Sequence, residues 1–418
     1  MILKLARKSL WNRRGTAILT LVSLAISVAL ILGINHLRHQ AKQSFTSTIS
    51  GTDLIVGARS GQANLLLYSV FRIGNATNNI SWESYEAIKK SRDIEWTIPL
   101  SLGDSHRGFR VLGTDHNYFD HYRYGDRRAL AFSAGGPFSS IYDTVLGAQV
   151  ARELGYTIGQ EIVIAHGLGD VSFSMHDDKP FTVVGILEPT GTPVDRTVHV
   201  RLEGIEAIHL GWQHGARMPG RGVSAEEALQ RELEPEAITA FLVGLKSRMA
   251  TFRLQRAINE YRKEALTAIL PGVALAELWD VLGMVENMLI VVAFLVLLAT
   301  LVGMTTTLLS SMKERQRELA ILRAVGAHAG YLFALIEIEA LLLAAAGVAF
   351  GILLLSLSLF MLQPWLAAEY GLFISANPLN SEALLITAGV MLLAALLSLI
   401  PAMVAYRRAL AEGLSVLL

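Results

Sequence analysis

The sequence predicts an α-helical membrane protein with four transmembrane helices and one large α+β extracytoplasmic domain. Three observations carry this expectation. Four apolar stretches reach the roughly 20 residues that a bilayer-spanning helix needs. A long polar segment, residues 38–283, separates the first stretch from the second and alternates strand-like runs with turn signals. Lysine and arginine crowd some connecting segments and avoid another, which sets an orientation. Composition agrees, with 52% hydrophobic residues and a mean hydropathy of +0.43. The 36 basic and 36 acidic residues cancel, so bulk charge points to no nucleic-acid partner. The absence of cysteine excludes disulfides, thiolate metal sites and a cysteine nucleophile, and suits a domain in an oxidising compartment.

Residues 1–15 carry Lys4, Arg7, Lys8, Arg13 and Arg14 without an acid. Leu3, Ala6 and Leu10 share one helical stripe, so this amphipathic segment is expected to lie along the cytoplasmic membrane face. Residues 16–37 form the first span. A cleaved signal peptide would also begin basic, but this apolar core is too long and no small-x-small site follows before Arg38. In the outer segment, residues 53–58, 96–102, 108–113, 161–165 and 181–187 read as strands, and 81–90 and 148–154 as helices. Such a domain is large enough for its own core and for two subdomains.

From Phe252 the hydrophobic period turns helical. Leu254, Ile258, Tyr261 and Ala265 share a face, Pro271 and Gly272 interrupt it, and Leu275, Leu278, Trp279 and Leu282 resume it. This stretch reads as a stalk running into the second span, or equally as a helix packed within the domain. The second, third and fourth spans cover residues 284–310, 331–361 and 382–406. Residues 362–381 contain no Lys or Arg, whereas 311–330 hold Lys313, Arg315, Arg317 and Arg323, and the tail 407–418 holds Arg407 and Arg408. That asymmetry places both termini and residues 311–330 in the cytoplasm, with the large domain and the short loop 362–381 outside.

Residues 311–330 are a short charged helix wedged between two apolar spans. Glu314 with Arg317, and Arg315 with Glu318, are spaced i, i+3 and can meet on one face. Leu319, Leu322 and Val325 repeat at three-residue steps as an apolar stripe, and Gly326 ends the helix. A helix of this kind suits docking on a soluble partner; a solvated positive-inside loop carries the same charges.

The run KERQRELAILRAVGA, Lys313 to Ala327, resembles the cytoplasmic coupling segment of ABC permeases of the MacB, LolC/LolE and FtsX type. The stretches Val145 to Ile164 and Phe181 to Val200 resemble the MacB-like periplasmic core domain, most specifically at Gly191, Thr192, Pro193, Val194 and Asp195. The ending PAMVAYRRALAEGLSVLL is similar too, so the resemblance covers nearly the whole chain. It implies a mechanotransmission permease in an inner membrane, a homodimer or a heterodimer with a related permease, docked through the coupling helix on a separate cytoplasmic ATPase. ATP-driven motion would then reach the periplasmic domain and export or extract a substrate, with a periplasmic adaptor or substrate-binding protein as further partner. An FtsX-like signalling scaffold that activates a periplasmic hydrolase is the alternative. No G-x-x-x-x-G-K-[ST] occurs, and the Gly57 run GARSGQ lacks its lysine, so ATP and magnesium are expected on the partner and no cofactor on this chain.

Other chemistry reads weakly. All histidines but His328 lie at or beyond the outer end of the first span; His166 and His176 flank a loop with Asp170, Asp177 and Asp178, a pattern compatible with a metal but lacking tight ligand spacing. No G-x-S-x-G elbow is present, and the chain is not expected to be an enzyme. Glu286, Glu337 and Glu339 sit early in the second and third spans, where an acid is costly and is by default a functional candidate. Their closeness to the span ends favours a structural role over a proton relay. Gly347 and Gly351 form a G-x-x-x-G in the third span, a small-residue face for close helix contact.

Overall fold

The computed structural model describes residues 2–166, 179–210, 212–213, 216–217, 223–231, 233–314, 316–370, 375 and 377–411. The chain divides into two compact units. One comprises residues 1–41, 282–365 and 374–418; the other comprises residues 42–281 and 366–373.

The first unit is helical. Helix α1 (Ile2–Asn12) exposes Lys4, Arg7 and Lys8 and buries Ala6 and Ser9. A break at Arg13 leads into α2 (Arg14–Thr48), which carries the first apolar span. Helices α3 (Pro271–Glu314), α5 (Ala329–Tyr370) and α6 (Ser381–Ala411) carry the other three, with α4 (Gln316–Ala324) between α3 and α5. The sequence reads Pro271 as an interruption, but it opens α3. Proline is preorganised for the first helical turn, where its missing N–H costs nothing. The helix expected through Ala265 stops at Asn259, and Leu266–Ile269 is a strand. There, ladder bonds to Leu54–Ala58 outweigh the helical spacing.

Small residues set how closely the spans approach. A Cβ on Gly347 would lie 2.6 Å from Leu24 Cδ2, and one on Gly351 would lie 2.9 Å from the Ala25 carbonyl oxygen. The G-x-x-x-G of α5 is therefore filled by α2 of the same chain. Ser27, buried in α2, hydrogen-bonds Thr300 of α3 at 2.8 Å.

The second unit is built on an 11-stranded mixed sheet among the described residues. Its long strand Ile94–His106 pairs through its first half with Ala240–Leu245 and through its second half with Phe109–Thr114. One strand thus serves two half-sheets, each with its own apolar core. The first core includes Val56, Tyr85, Phe241 and Leu254, and the second includes Val111, Val150, Phe181 and Val198. The turn between Ile94–His106 and Phe109–Thr114 holds Arg107 at φ 47° and Gly108 at φ 84°, the doubly left-handed turn whose twist matches paired strands. Strand Thr197–Arg201 runs parallel to Phe109–Thr114 and is completely covered up to Val200.

A candidate coupling site on the helical unit

Helix α4 is held at its C-terminal end by its own backbone. The Ala327 N–H donates to the Leu322 carbonyl and the Gly326 N–H to the Arg323 carbonyl, the two bonds of a Schellman cap. Gly326 sits at φ 101°, a conformation that a residue with a Cβ adopts only under strain. His328 then caps α5, accepting from the Tyr331 N–H at Nδ1, 3.2 Å away. The joint between α4 and α5 is therefore short and pinned on both sides.

Side chains fasten α4 to the last helix. Arg323 donates to the Ala409 carbonyl near the end of α6, satisfying a carbonyl that the helix terminus leaves open. Beside this joint, Met312 of α3, Ile336 of α5, and Ala402 and Ala405 of α6 form a small buried cluster. The stripe expected from Leu319, Leu322 and Val325 divides: Leu322 is half-buried, while Val325 is 83% exposed. Three residues advance a helix by 300°, so Val325 has rotated off the inward face. Ile321, at 63% exposure, stands one turn before Val325, and Glu318 is exposed beside them. The outward face of α4 is thus apolar with an acidic edge. Arg315 lies outside the described residues, as do the side chains of Glu314, Arg317 and Leu319.

Above this helix lies a polar layer inside the apolar bundle. Glu339 of α5 is fully buried and pairs with Arg13 at 3.0 Å, and Arg13 also reaches Ser9 of α1 at 3.4 Å. Glu337 accepts from the Ser398 hydroxyl of α6 at 2.8 Å. At another level, Glu286 of α3 pairs with Arg38 of α2 at 3.0 Å. Glu286, Glu337 and Glu339 each have a partner on another helix, which favours the structural role. The partners lie too far away in sequence for any spacing rule to find them.

In the outer unit, Gly191 to Asp195 forms a buried knot. Thr192 caps the 3-10 turn Pro193–Arg196, and Gly191 takes φ 69°. The buried Asp195 carboxylate accepts from the Thr190 N–H at 2.8 Å, the Thr190 hydroxyl at 2.8 Å and the Gly191 N–H at 2.8 Å. Burial pushes its carboxyl upward, against the pull of these donors. A group so enclosed shapes the chain; it does not face a ligand. Of the metal candidates, His176 and the side chain of His166 lie outside the described residues. Among the described residues, no three His, Asp or Glu gather around one point. His199 is fully buried with Nδ1 3.1 Å from the Val145 carbonyl, and burial pushes its pKa down to about 3, so the ring is neutral.

Two family models match the chain. The MacB-like periplasmic core domain matches residues 17–260, more than half of the 418, and the FtsX-like permease C-terminal model matches residues 290–410. The chain is a MacB/FtsX-like ABC permease. Among solved structures, the periplasmic region of MacB from Actinobacillus actinomycetemcomitans is 11% identical, with a TM-score of 0.34 over 55% of this chain and 94% of that one. The extracellular domain of the noncanonic ABC-type transporter YknZ from Gram-positive bacteria is 13% identical, with a TM-score of 0.30 over 52% and 99%. No curated protein matches the chain. As a permease of this family it is a transmembrane transporter subunit with a periplasmic domain. The sequence singles out residues 311–330 as the candidate coupling segment; it misses Ile321 as an exposed residue, although its place one turn before Val325 was a signal available in the spacing.

Proposed function

We propose that this permease is the membrane subunit of an ABC transporter that works as a dimer, docking through α4 on a separate cytoplasmic ATPase. The observation that carries this reading is the outward face of α4, where Ile321 and Val325 stand in solvent beside Glu318 on a helix fixed by its cap and by Arg323. Large apolar side chains side by side on a clamped helix favour a protein contact over a solvated loop. In this scheme both termini are cytoplasmic, the membrane is the inner membrane, and closure of the ATPases pushes α4. The pinned joint at Gly326–His328 passes the push to α5, and the polar layer passes it to α1, α2 and α6. Work is delivered to the periplasmic domain to export or extract a substrate.

The test is co-purification of an ABC ATPase co-expressed with the tagged permease. Ile321→Asp with Val325→Asp, and separately Glu314→Lys with Glu318→Lys, should lose the ATPase while the permease keeps its yield in detergent. Ile321, Val325 and Glu318 are exposed, and substitutions at such sites cost the permease itself within about 0.5 kcal/mol. Retained ATPase in both variants would reduce the segment to a positive-inside loop.

A further inference from the structure

Between the helix Gln62–Ser69 and the strand pair Ile94–His106 and Phe109–Thr114 lies an open pocket of about 420 Å³. Tyr68, Ala76 and Leu102 give it an apolar wall, and Asn75, Asn79 and Arg110 a polar one. The register of the two strands shifts between Leu102 and Ser105, so Gly103 leaves room on the wall near Arg110. The volume falls within the range of small-molecule sites.

The charges around it are unbalanced. Arg110 donates to the Asn75 side-chain oxygen at 3.1 Å and the Gly74 carbonyl at 2.8 Å, both neutral acceptors. Arg72 lies close enough to depress the Arg110 guanidinium pKa, adding to the effect of burial. Arg72 itself stands outside the pocket wall; it donates to the Ser69 carbonyl, and its side chain meets the buried Tyr118. No ion pair among the described residues joins either arginine to a carboxylate. Arg110, partly buried in the pocket wall with only neutral partners, is a charge that an anion in the pocket would relieve.

We propose that this pocket binds an anionic group, an organic phosphate or carboxylate, on a ligand whose short apolar part rests on Tyr68 and Leu102. The guanidinium fork suits the two oxygens of either group. Asn75 and Asn79 supply neutral polar edges to complete the shell. Binding here is a property of the outer domain whichever output the membrane helices drive.

Isothermal titration of the full chain in nanodiscs tests this with hexyl phosphate, hexanoate, inorganic phosphate and hexylamine. Hexyl phosphate or hexanoate should bind saturably at one site per chain, with the tighter of the two naming the source of the anion. Arg110→Ala should weaken it about tenfold or more. Because Arg110 also ties down the loop at Gly74, Asn79→Asp supplies a second variant. It sits on an exposed position and sets a carboxylate in the pocket, and should weaken binding comparably without altering the melting temperature. Arg92→Ala, exposed and outside the pocket, should bind as the unsubstituted chain does. Saturable binding of neither organic anion, equal binding of hexylamine, binding undiminished by Asn79→Asp, or inorganic phosphate binding as tightly as hexyl phosphate would each overturn the assignment.

Discussion

Glu339→Gln keeps the shape of a buried side chain and removes one charge, which makes it a sharp probe of the polar layer. Its partner Arg13 remains, 15% exposed against 0% for Glu339. Removing one member of a buried ion pair costs about 3–5 kcal/mol, chiefly because the other charge is left buried and unpaired. Arg13 keeps its bond to Ser9, and its long stem can lift the guanidinium toward the headgroups, so the lower end, about 3 kcal/mol, applies. At about 2–4 °C per kcal/mol for a unit of this size, the melting temperature should fall by about 6–12 °C. Arg13→Met combined with Glu339→Met should recover most of that loss, since two apolar groups replace the pair without leaving a charge behind. The assay is thermal unfolding of the purified permease in detergent across the full double-mutant cycle. A loss under about 2 °C in the single variant, or a double variant as unstable as the summed singles, would mean that the pair is solvated and fastens nothing.

Two further outcomes test other parts of the fold. Gly351→Val should push α2 off α5, since even a Cβ would sit 2.9 Å from the Ala25 backbone, and should cost about 1–3 kcal/mol read as lost yield and a lower melting temperature; an unchanged protein would show that the helices do not pack there. Asp115 has a pKa raised to about 7, first by burial, with Lys89 opposing and Glu203 adding to the rise. Its folded value lies above its unfolded one, so its stabilising contribution is full below about pH 4 and is lost as pH climbs through 7. Full burial would make this worth about 4 kcal/mol, and partial exposure reduces it to about 1–2 kcal/mol. Asp115→Asn should therefore match the unsubstituted chain near pH 4 and be the more stable of the two at pH 8 by chemical denaturation. Equal stability at both pH values would refute the shift.

The spans were legible because a bilayer imposes one rule, length of apolar helix, that no later packing overrides. The strands at Leu54–Ala58 and Phe181–Leu187 were legible from apolar runs between turns. Leu266–Ile269 was not, since Ala265 kept step with a helix and only the partner strand Leu54–Ala58, more than two hundred positions earlier, decides the matter. Around α4, Gly326 announced itself as a helix end, because few residues tolerate φ 101°. Val325 was grouped with Leu322 in one stripe because spacing gives angles between residues and no absolute direction. Arg13 with Glu339, and Glu337 with Ser398, are choices among many polar groups that only the folded bundle makes.

The small-residue face of α5 is spent inside the subunit, on Leu24, Ala25 and Val28 of α2. What α2 and α3 leave turned outward is bulky: Ile18, Leu19, Val22, Ile26 and Leu30 on one, Met288, Leu289, Val292 and Leu295 on the other. Branched and flexible side chains of this kind are nearly as content against lipid tails as against another helix. A subunit seam made from them would be greased, with little lost when it opens. The rigid joinery of this permease thus lies within the chain, and if the proposed dimer closes along these faces, the looseness that a mechanical stroke would need is left to them.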